Sequence, residues 1–329
     1  MDDGPSANIR AYLYDASGSD ADVELTEFDI ASLDETKLLW VTVLKRDAEL
    51  ITRAAAQVGI EHPPIKLILE GTSHPMLVKF DEFFHFSVNS VMLHIDESPL
   101  KFPIDFLVGR NFVVTIHDDE VDFFVDLRRR ERGESVFGQL SSESFVATLL
   151  DLHLVSYFHG VDAIERRADK LYGKTLKKDV NADEFIAYMI ELRRDVSKLR
   201  RWLIPQRELI YSFIRPDFQQ ITEEDTRELY KTVESHFENA IDAVDAAREA
   251  VLGAFDLYAT KSSQLTNVFI QRLTFLTLVM GTLGVVASLL GMNFKNEFYD
   301  NPLGFWITVA AMIIFTIAAT IYARRRRWI

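Results

Sequence analysis

The chain has 329 residues, no cysteine and a formal net charge of −14, with 48% hydrophobic and 26% charged residues. The lack of cysteine excludes a disulfide framework, a thiolate nucleophile and a cysteine-ligated zinc site, and the acidic balance argues against a nucleic-acid partner, whose phosphates it would repel. A mean hydropathy of +0.02 beside so much charge requires the apolar residues to be concentrated somewhere.

The start, Met1-Asp2-Asp3-Gly4-Pro5, has neither a basic stretch nor an apolar run and does not read as a signal peptide. Residues 9–14 and 38–44 are strand-like, rich in β-branched and aromatic side chains. Residues 47–58 read as an amphipathic helix ended by Gly59, and residues 76–80, 83–93, 104–108 and 112–117 as further strands. Val108-Gly109-Arg110-Asn111-Phe112 carries a hairpin signal. The mixture predicts one sheet covered by helices, an α/β domain over residues 1–141.

Within it, His117-Asp118-Asp119-Glu120 has the residue types of a metal site but reads as a solvated loop after a strand. Arg128-Arg129-Arg130 with Glu131 and Arg132 reads as a mixed-charge helix face. The histidines lack zincin or zinc-finger spacing, and no glycine-rich phosphate loop, nucleophile elbow or Ser-His-Asp arrangement occurs, so no enzyme is expected.

From residue 142 the periodicity becomes helical and stays so. Ser142, Phe145, Leu149, Leu152 and Val155 open one amphipathic helix that reaches about residue 176, with Tyr157 and Phe158 at core-like spacing. Asn181, with Glu184 three residues later, caps a second helix to about residue 214, kinked at Pro205. Thr222 caps a third, and no proline follows before Pro302. That helix is predicted to run into an uncharged stretch, residues 273–290, roughly 100 Å in all.

Residues 303–323 are also uncharged. Both runs suffice to cross a hydrocarbon core of about 30 Å, and the connection at 291–302 is short, so they read as a transmembrane hairpin in contact with lipid. Arg324-Arg325-Arg326-Arg327 follow directly and place the C-terminus in the cytoplasm; with two crossings, the acidic body and the N-terminus lie there too. From residue 270 onward the charge is +4, against −18 for everything before it.

One stripe on the long helix stands out. Thr260, Ser263, Asn267, Ile270, Thr274, Thr277, Gly281, Gly284, Ser288 and Gly291 follow alternating steps of three and four, and all but Ile270 are small or polar. Extended backwards, the register gives Asp242, Ala246, Glu249, Gly253 and Asp256. Such a stripe either lets helices pack closely or lines a pore. The acidic continuation favours the pore, because carboxylates gathered on one axis need cations between them. Two spans cannot enclose a pore, so that reading also requires a ring of identical subunits.

The first span ends in Leu289-Leu290-Gly291-Met292-Asn293-Phe294. The Gly-Met-Asn triplet in this position, the two-span ending, the basic tail, the long preceding helix and the strand hairpin over residues 108–117 together resemble the CorA family of magnesium transport proteins. The resemblance implies a funnel-shaped homopentamer whose first span lines the pore. It makes Asn293 the selectivity residue of the outer mouth, with Gly291 allowing tight backbone geometry, Met292 packing, and Glu297 and Asp300 raising the cation concentration at the entrance. It places Thr266 and Asn267 at an inner ring, Ile270 and Leu273 at a hydrophobic gate and Asp256 at the cytoplasmic end of the pathway. Asp96 falls near the family's carboxylate-based Mg²⁺ sensor, with Thr232 where an acidic partner is expected. The chain departs from the family's pattern at Leu290, where an aromatic is common, and at Gly281-Thr282, which replace a mid-span proline.

The expected organisation is an α/β domain at 1–141, a helical stalk at 142–268, a pore-lining span at 269–290, an external loop at 291–302, a second span at 303–323 and a basic tail at 324–329. The expected function is influx of hydrated Mg²⁺, with Co²⁺ or Ni²⁺ as possible cargo, no cofactor, and Mg²⁺ also regulating. The alternatives are a proton-coupled Zn²⁺ transporter of the ZntB branch and a non-conducting membrane-anchored scaffold.

Overall fold

The computed structural model describes the chain apart from residues 1–7, 19, 71–74, 76, 94–96, 131–135, 176–181, 217, 219–220, 222–223, 293–301 and 327–329. It divides into two compact units, Met1–Leu252 and Gly253–Ile329.

The first unit is built on a seven-stranded sheet of β1 (Ile9–Asp15), β2 (Ala21–Val23), β3 (Lys37–Leu44), β4 (Leu77–Lys79), β5 (Phe83–Met92), β6 (Leu100–Gly109) and β7 (Phe112–His117), in the order β2-β1-β3-β7-β6-β5-β4. Among the described residues only β3 and β7 pair in parallel; the other described neighbours are antiparallel. The expected hairpin joins β6 to β7 through Arg110 and Asn111, with Asn111 in the left-handed region at φ 97°. Asparagine tolerates that conformation better than most residues.

Alternation along the strands splits the core in two. On one face Leu39, Val41 and Val43 meet Leu107, Val114 and Ile116 under α1 (Ala48–Gln57) and α2 (Ile65–Glu70). Asp47 caps α1 through the amides of Glu49 and Leu50, and Gly59 follows it at φ 86°, a conformation a β-carbon disfavours. The other face is aromatic. Trp40 lies edge-on to Phe124 of α3 (Asp122–Arg130) and to Phe145 of α4 (Ser142–Thr175), and Phe86 stacks on Phe106 at 4.6 Å.

The helices depart from expectation in two places. On α4, Phe145 and Leu149 are buried, but Val155 is exposed and Leu152 half-exposed; the buried face runs instead through Leu150, His153, Leu154, Tyr157 and Val161. The helix turns about 100° per residue, so a stripe stepped only by threes and fours can drift off the core face over its length. The second expected helix is two: α5 (Ala182–Leu203) and α6 (Arg207–Ile214), separated by a 3-10 turn at Ile204–Gln206. Pro205 lacks the amide hydrogen that would continue the ladder. The break presents Gln206 to the core, where its amide donates to the Asn89 carbonyl at 3.0 Å and to the Tyr157 hydroxyl at 2.9 Å, and its carbonyl lies 3.0 Å from His153 Nε2. The expected caps Asn181 and Thr222 lie outside the described residues.

The loop after β7 is solvated only in part. His117 is buried, its Nδ1–H donating to the Asp119 carbonyl, while Asp118 and Glu120 face Arg46 and Arg10.

Candidate cation pathway on the long helix

α7 spans Glu224–Leu290, 67 residues, about 100 Å at 1.5 Å per residue. Its sequence explains the absence of a break: no proline lies between Pro216 and Pro302. In the first unit it buries Tyr230, Val233, Phe237, Ala240, Val244, Ala247 and Val251, a seam stepped by threes and fours. The same seam continues in the second unit through the half-covered Ala254, Tyr258 and Lys261. It resumes at Phe275, Val279, Leu283, Val286 and Leu290, with every residue from 262 to 274 exposed.

The predicted stripe lies two residues out of register with this seam. Two residues on a helix are about 200° apart, so the stripe occupies the opposite side. Every described member of it is exposed: Asp242, Ala246, Glu249, Gly253, Asp256, Thr260, Ser263, Asn267, Ile270, Thr274, Thr277, Gly281, Gly284, Ser288 and Gly291. Thr266 and Leu273 are exposed on its flank.

The hydroxyl chemistry of this face is directional. Thr266 donates to the Ser262 carbonyl at 3.0 Å, Thr274 to Ile270 at 2.8 Å and Thr277 to Leu273 at 2.9 Å. Each hydroxyl hydrogen is thereby spent inside the helix, and the oxygen's remaining capacity is as an acceptor. The acceptor capacity left on these three oxygens suits a cation or the waters around it. A shallow groove of about 600 Å³ runs along it, lined by Thr274, Thr277 and Gly281 together with Leu278, Thr282 and Val285. Thr282 was not part of the predicted stripe; it stands eight residues beyond Thr274, on a row stepped by fours that a strict seven-residue repeat omits.

α8 (Pro302–Arg325) also covers one stripe, Gly304, Thr308, Met312, Thr316, Ala319 and Ala323. Both helices contain windows with a mean hydropathy of 2.1 and are long and apolar enough to cross a membrane. Large apolar side chains, Leu276, Leu278, Leu289, Ile314 and Trp306 among them, are left exposed on them, as a lipid-facing surface requires.

At the end of α7 the helix gives way to a turn. Gly291 does not adopt a left-handed backbone, and a β-carbon there would meet only the carbonyls of Ala287 and Ser288 at 3.6 Å, an ordinary contact. Its amide donates to the Ala287 carbonyl at 3.0 Å, and the Met292 amide steps in to the Leu289 carbonyl at 3.3 Å, so the chain leaves the helix here through a tightened turn. Met292 is exposed within a single chain. Asn293, Glu297, Asp300 and Asp96 lie outside the described residues. Thr232, the expected neighbour of Asp96, is exposed and donates to the Glu228 carbonyl. Among the described residues no three histidine or carboxylate side chains gather as a metal site.

Comparison with known proteins bears on the whole arrangement. A family model described as CorA-like Mg²⁺ transporter protein matches residues 35–325. The chain is 24% identical over 307 residues to the cobalt/magnesium transport protein CorA of Thermotoga maritima, covering 90% of this chain and 85% of that one. The complete structure of the CorA magnesium transporter from Methanocaldococcus jannaschii matches with a TM-score of 0.77 at 19% identity, covering 97% of this chain and 98% of that one. The ZntB cytoplasmic domain from Vibrio parahaemolyticus matches with a TM-score of 0.60 at 13% identity, covering 78% of this chain and 99% of that one. At these identities the structures testify to a shared fold.

Proposed function

The chain belongs to the CorA-like Mg²⁺ transporter family, membrane proteins that carry divalent cations, and from that premise we propose that it admits hydrated Mg²⁺ to the cytoplasm through a ring of α7 helices, one from each of five copies. The observation that carries this reading is the acceptor-rich stripe of α7, opposite the covered seam and uncovered along its whole described length. A single chain has no use for such a face, whereas a ring of copies would turn it toward a common axis.

Mg²⁺ gives up its waters reluctantly. Threonine, serine and asparagine oxygens along the stripe would accept hydrogen bonds from those waters, so the ion moves without being stripped. Asn293 would form the outer selecting ring, and Ile270 with Leu273 a constriction that closes by dewetting. With the four arginines at 324–327 held inside, a negative interior supplies about 4.6 kcal/mol per divalent ion at 100 mV. Asp256, Glu249 and Asp242 would draw the emerging ion inward.

The likeness to a ZntB cytoplasmic domain favours a second cargo, Zn²⁺. Against a dedicated soft-metal site stand the absence of cysteine and of any histidine on the stripe. Dye-reported ion uptake into liposomes tests both. Wild type should take up Mg²⁺, with Zn²⁺ and Co²⁺ as weaker competitors, and Asn293→Ala should lose about tenfold or more of that uptake. Zn²⁺ uptake that Mg²⁺ does not inhibit would favour the second cargo. Equal flux in wild type and Asn293→Ala for every metal would defeat the pathway, and no flux at all would leave a scaffold.

A further inference from the structure

Arg128 departs from the mixed-charge surface predicted for its segment. α3 turns Phe124 and Leu127 into the core, and Arg128, four residues after Phe124, shares their side of the helix. Its guanidinium lies over the Trp40 ring, 5.5 Å from the centroid. Trp40 is itself fixed, its indole N–H donating to Thr115 Oγ1 at 3.1 Å. The neighbouring arginines are answered: Arg10 by Glu120 at 2.6 Å and Arg129 by Asp126 at 3.6 Å. Among the described residues Arg128 has no hydrogen bond and no carboxylate within 4 Å, only the aromatic face.

The three arginines border one cleft of about 340 Å³ between β1, the edge strand β2 and α3, with Tyr12 in its wall and Asp22 and Glu120 on its rim. Burial pushes the Arg128 pKa down, and the Arg10 guanidinium adds to the effect. The cleft therefore holds a positive charge that is partly desolvated, set over a ring and offset only from a distance by Glu120 and Asp22, in a chain whose net charge is −14.

We propose that this cleft binds a phosphate-bearing anion. A guanidinium is planar and presents paired donors that match two phosphate oxygens, and its place over the Trp40 ring restricts the fork before the ligand arrives. With two carboxylates on the rim the lining nets one positive charge. A singly charged carboxylate ligand would thus gain little, whereas a phosphate or polyphosphate carries charge enough to engage Arg128 and to compete with Glu120 for Arg10. The site is independent of the cation pathway on α7.

Calorimetric titration of the full-length protein in neutral-lipid nanodiscs, without divalent ions, tests the assignment with inorganic phosphate, pyrophosphate and ATP as separate probes. Saturable binding of at least one probe, one per chain, is expected, weakened about tenfold or more by Arg128→Gln and by Arg10→Gln. Arg110→Gln, which alters an exposed arginine facing Glu35 elsewhere, should leave it unchanged. Binding of phosphate and pyrophosphate as tight as that of ATP would assign the site to the free anion; tighter ATP binding would assign it to a nucleotide. Absence of saturable binding by wild type to all three would overturn the proposal, as would unchanged affinity in a folded Arg128→Gln. If that variant does not fold, Arg128→Lys keeps the charge and loses the fork, and undiminished binding by it would overturn the proposal equally.

Discussion

Val279 and Gly281 stand two residues apart on α7 and face opposite ways: Val279 is 8% exposed, while nothing lies within 4 Å of where a β-carbon at Gly281 would stand. The covered seam and the open stripe are thus separate surfaces of one helix, and they should answer differently to substitution. Gly281→Leu fills open space within the chain, so the pore reading predicts an assembled oligomer, a melting temperature within about 2 °C of wild type and Mg²⁺ flux reduced about tenfold by the narrowed path. If the stripe served close helix packing instead, the same variant would break up the oligomer, which size-exclusion chromatography with light scattering would show.

Ile270 is the apolar member of a polar stripe, exposed on the face that carries Asn267 and Thr274. If a ring of isoleucines closes the path by excluding water, Ile270→Ser should wet it. Planar-bilayer recordings should then show resting conductance raised about tenfold, with Phe269→Ser, one residue around the helix, having a smaller effect.

The first unit carries a pH dependence that its histidines set. His153 is buried between Ser90 and Gln206, and burial lowers its pKa to about 4; His117 is lowered to about 4 as well, also by burial first. A buried neutral histidine gains no proton until the pH nears that value, whereas the unfolded chain binds one near 6.5. Stability from each is therefore complete above about pH 6.5 and declines as the pH falls towards 4, by up to about 1.4 kcal/mol per pH unit. Thermal melts should show a steeper loss between pH 6.5 and 4.5 in wild type than in His153→Gln, which has no proton to gain. Equal slopes would remove His153 from the account.

Much of this was legible in the sequence, for identifiable reasons. The spans and the stripe repeat with helical periods over many turns, and Asp47 and Gly59 punctuate α1 with residue types that have one physical use there. What could not be read depended on distant partners. Val155 sits at core spacing yet faces outward, because the sheet meets another side of α4. Arg128 belongs to a charged run, and its contact with Trp40 of β3, far away in the sequence, leaves it half-buried.

Arg46 lies beneath this same sheet, its guanidinium paired with the buried Asp105, which also accepts from His85 Nε2 at 2.8 Å. Removing the cation leaves a carboxylate without its charge partner in a dry site. Arg46→Met should cost about 3 kcal/mol, read as a fall in melting temperature, and Asp105→Asn combined with it should recover part of the loss. A fall no smaller in the double variant would show that the pair is not coupled.

The absence of cysteine allows the most direct test of the central claim, that the stripe of α7 faces the ion path. Single cysteines placed at Thr274, Thr277, Gly281, Gly284 and Ser288, and in parallel at Phe275, Val279, Leu283 and Val286, can be challenged with a charged, water-borne thiol reagent while Mg²⁺ current is recorded. The account predicts rapid modification and block along the first set and protection of the second, a pattern repeating every three and four residues. Modification of the Val279 and Leu283 face, or no modification along Thr274, Thr277 and Gly281 in a conducting protein, would contradict it.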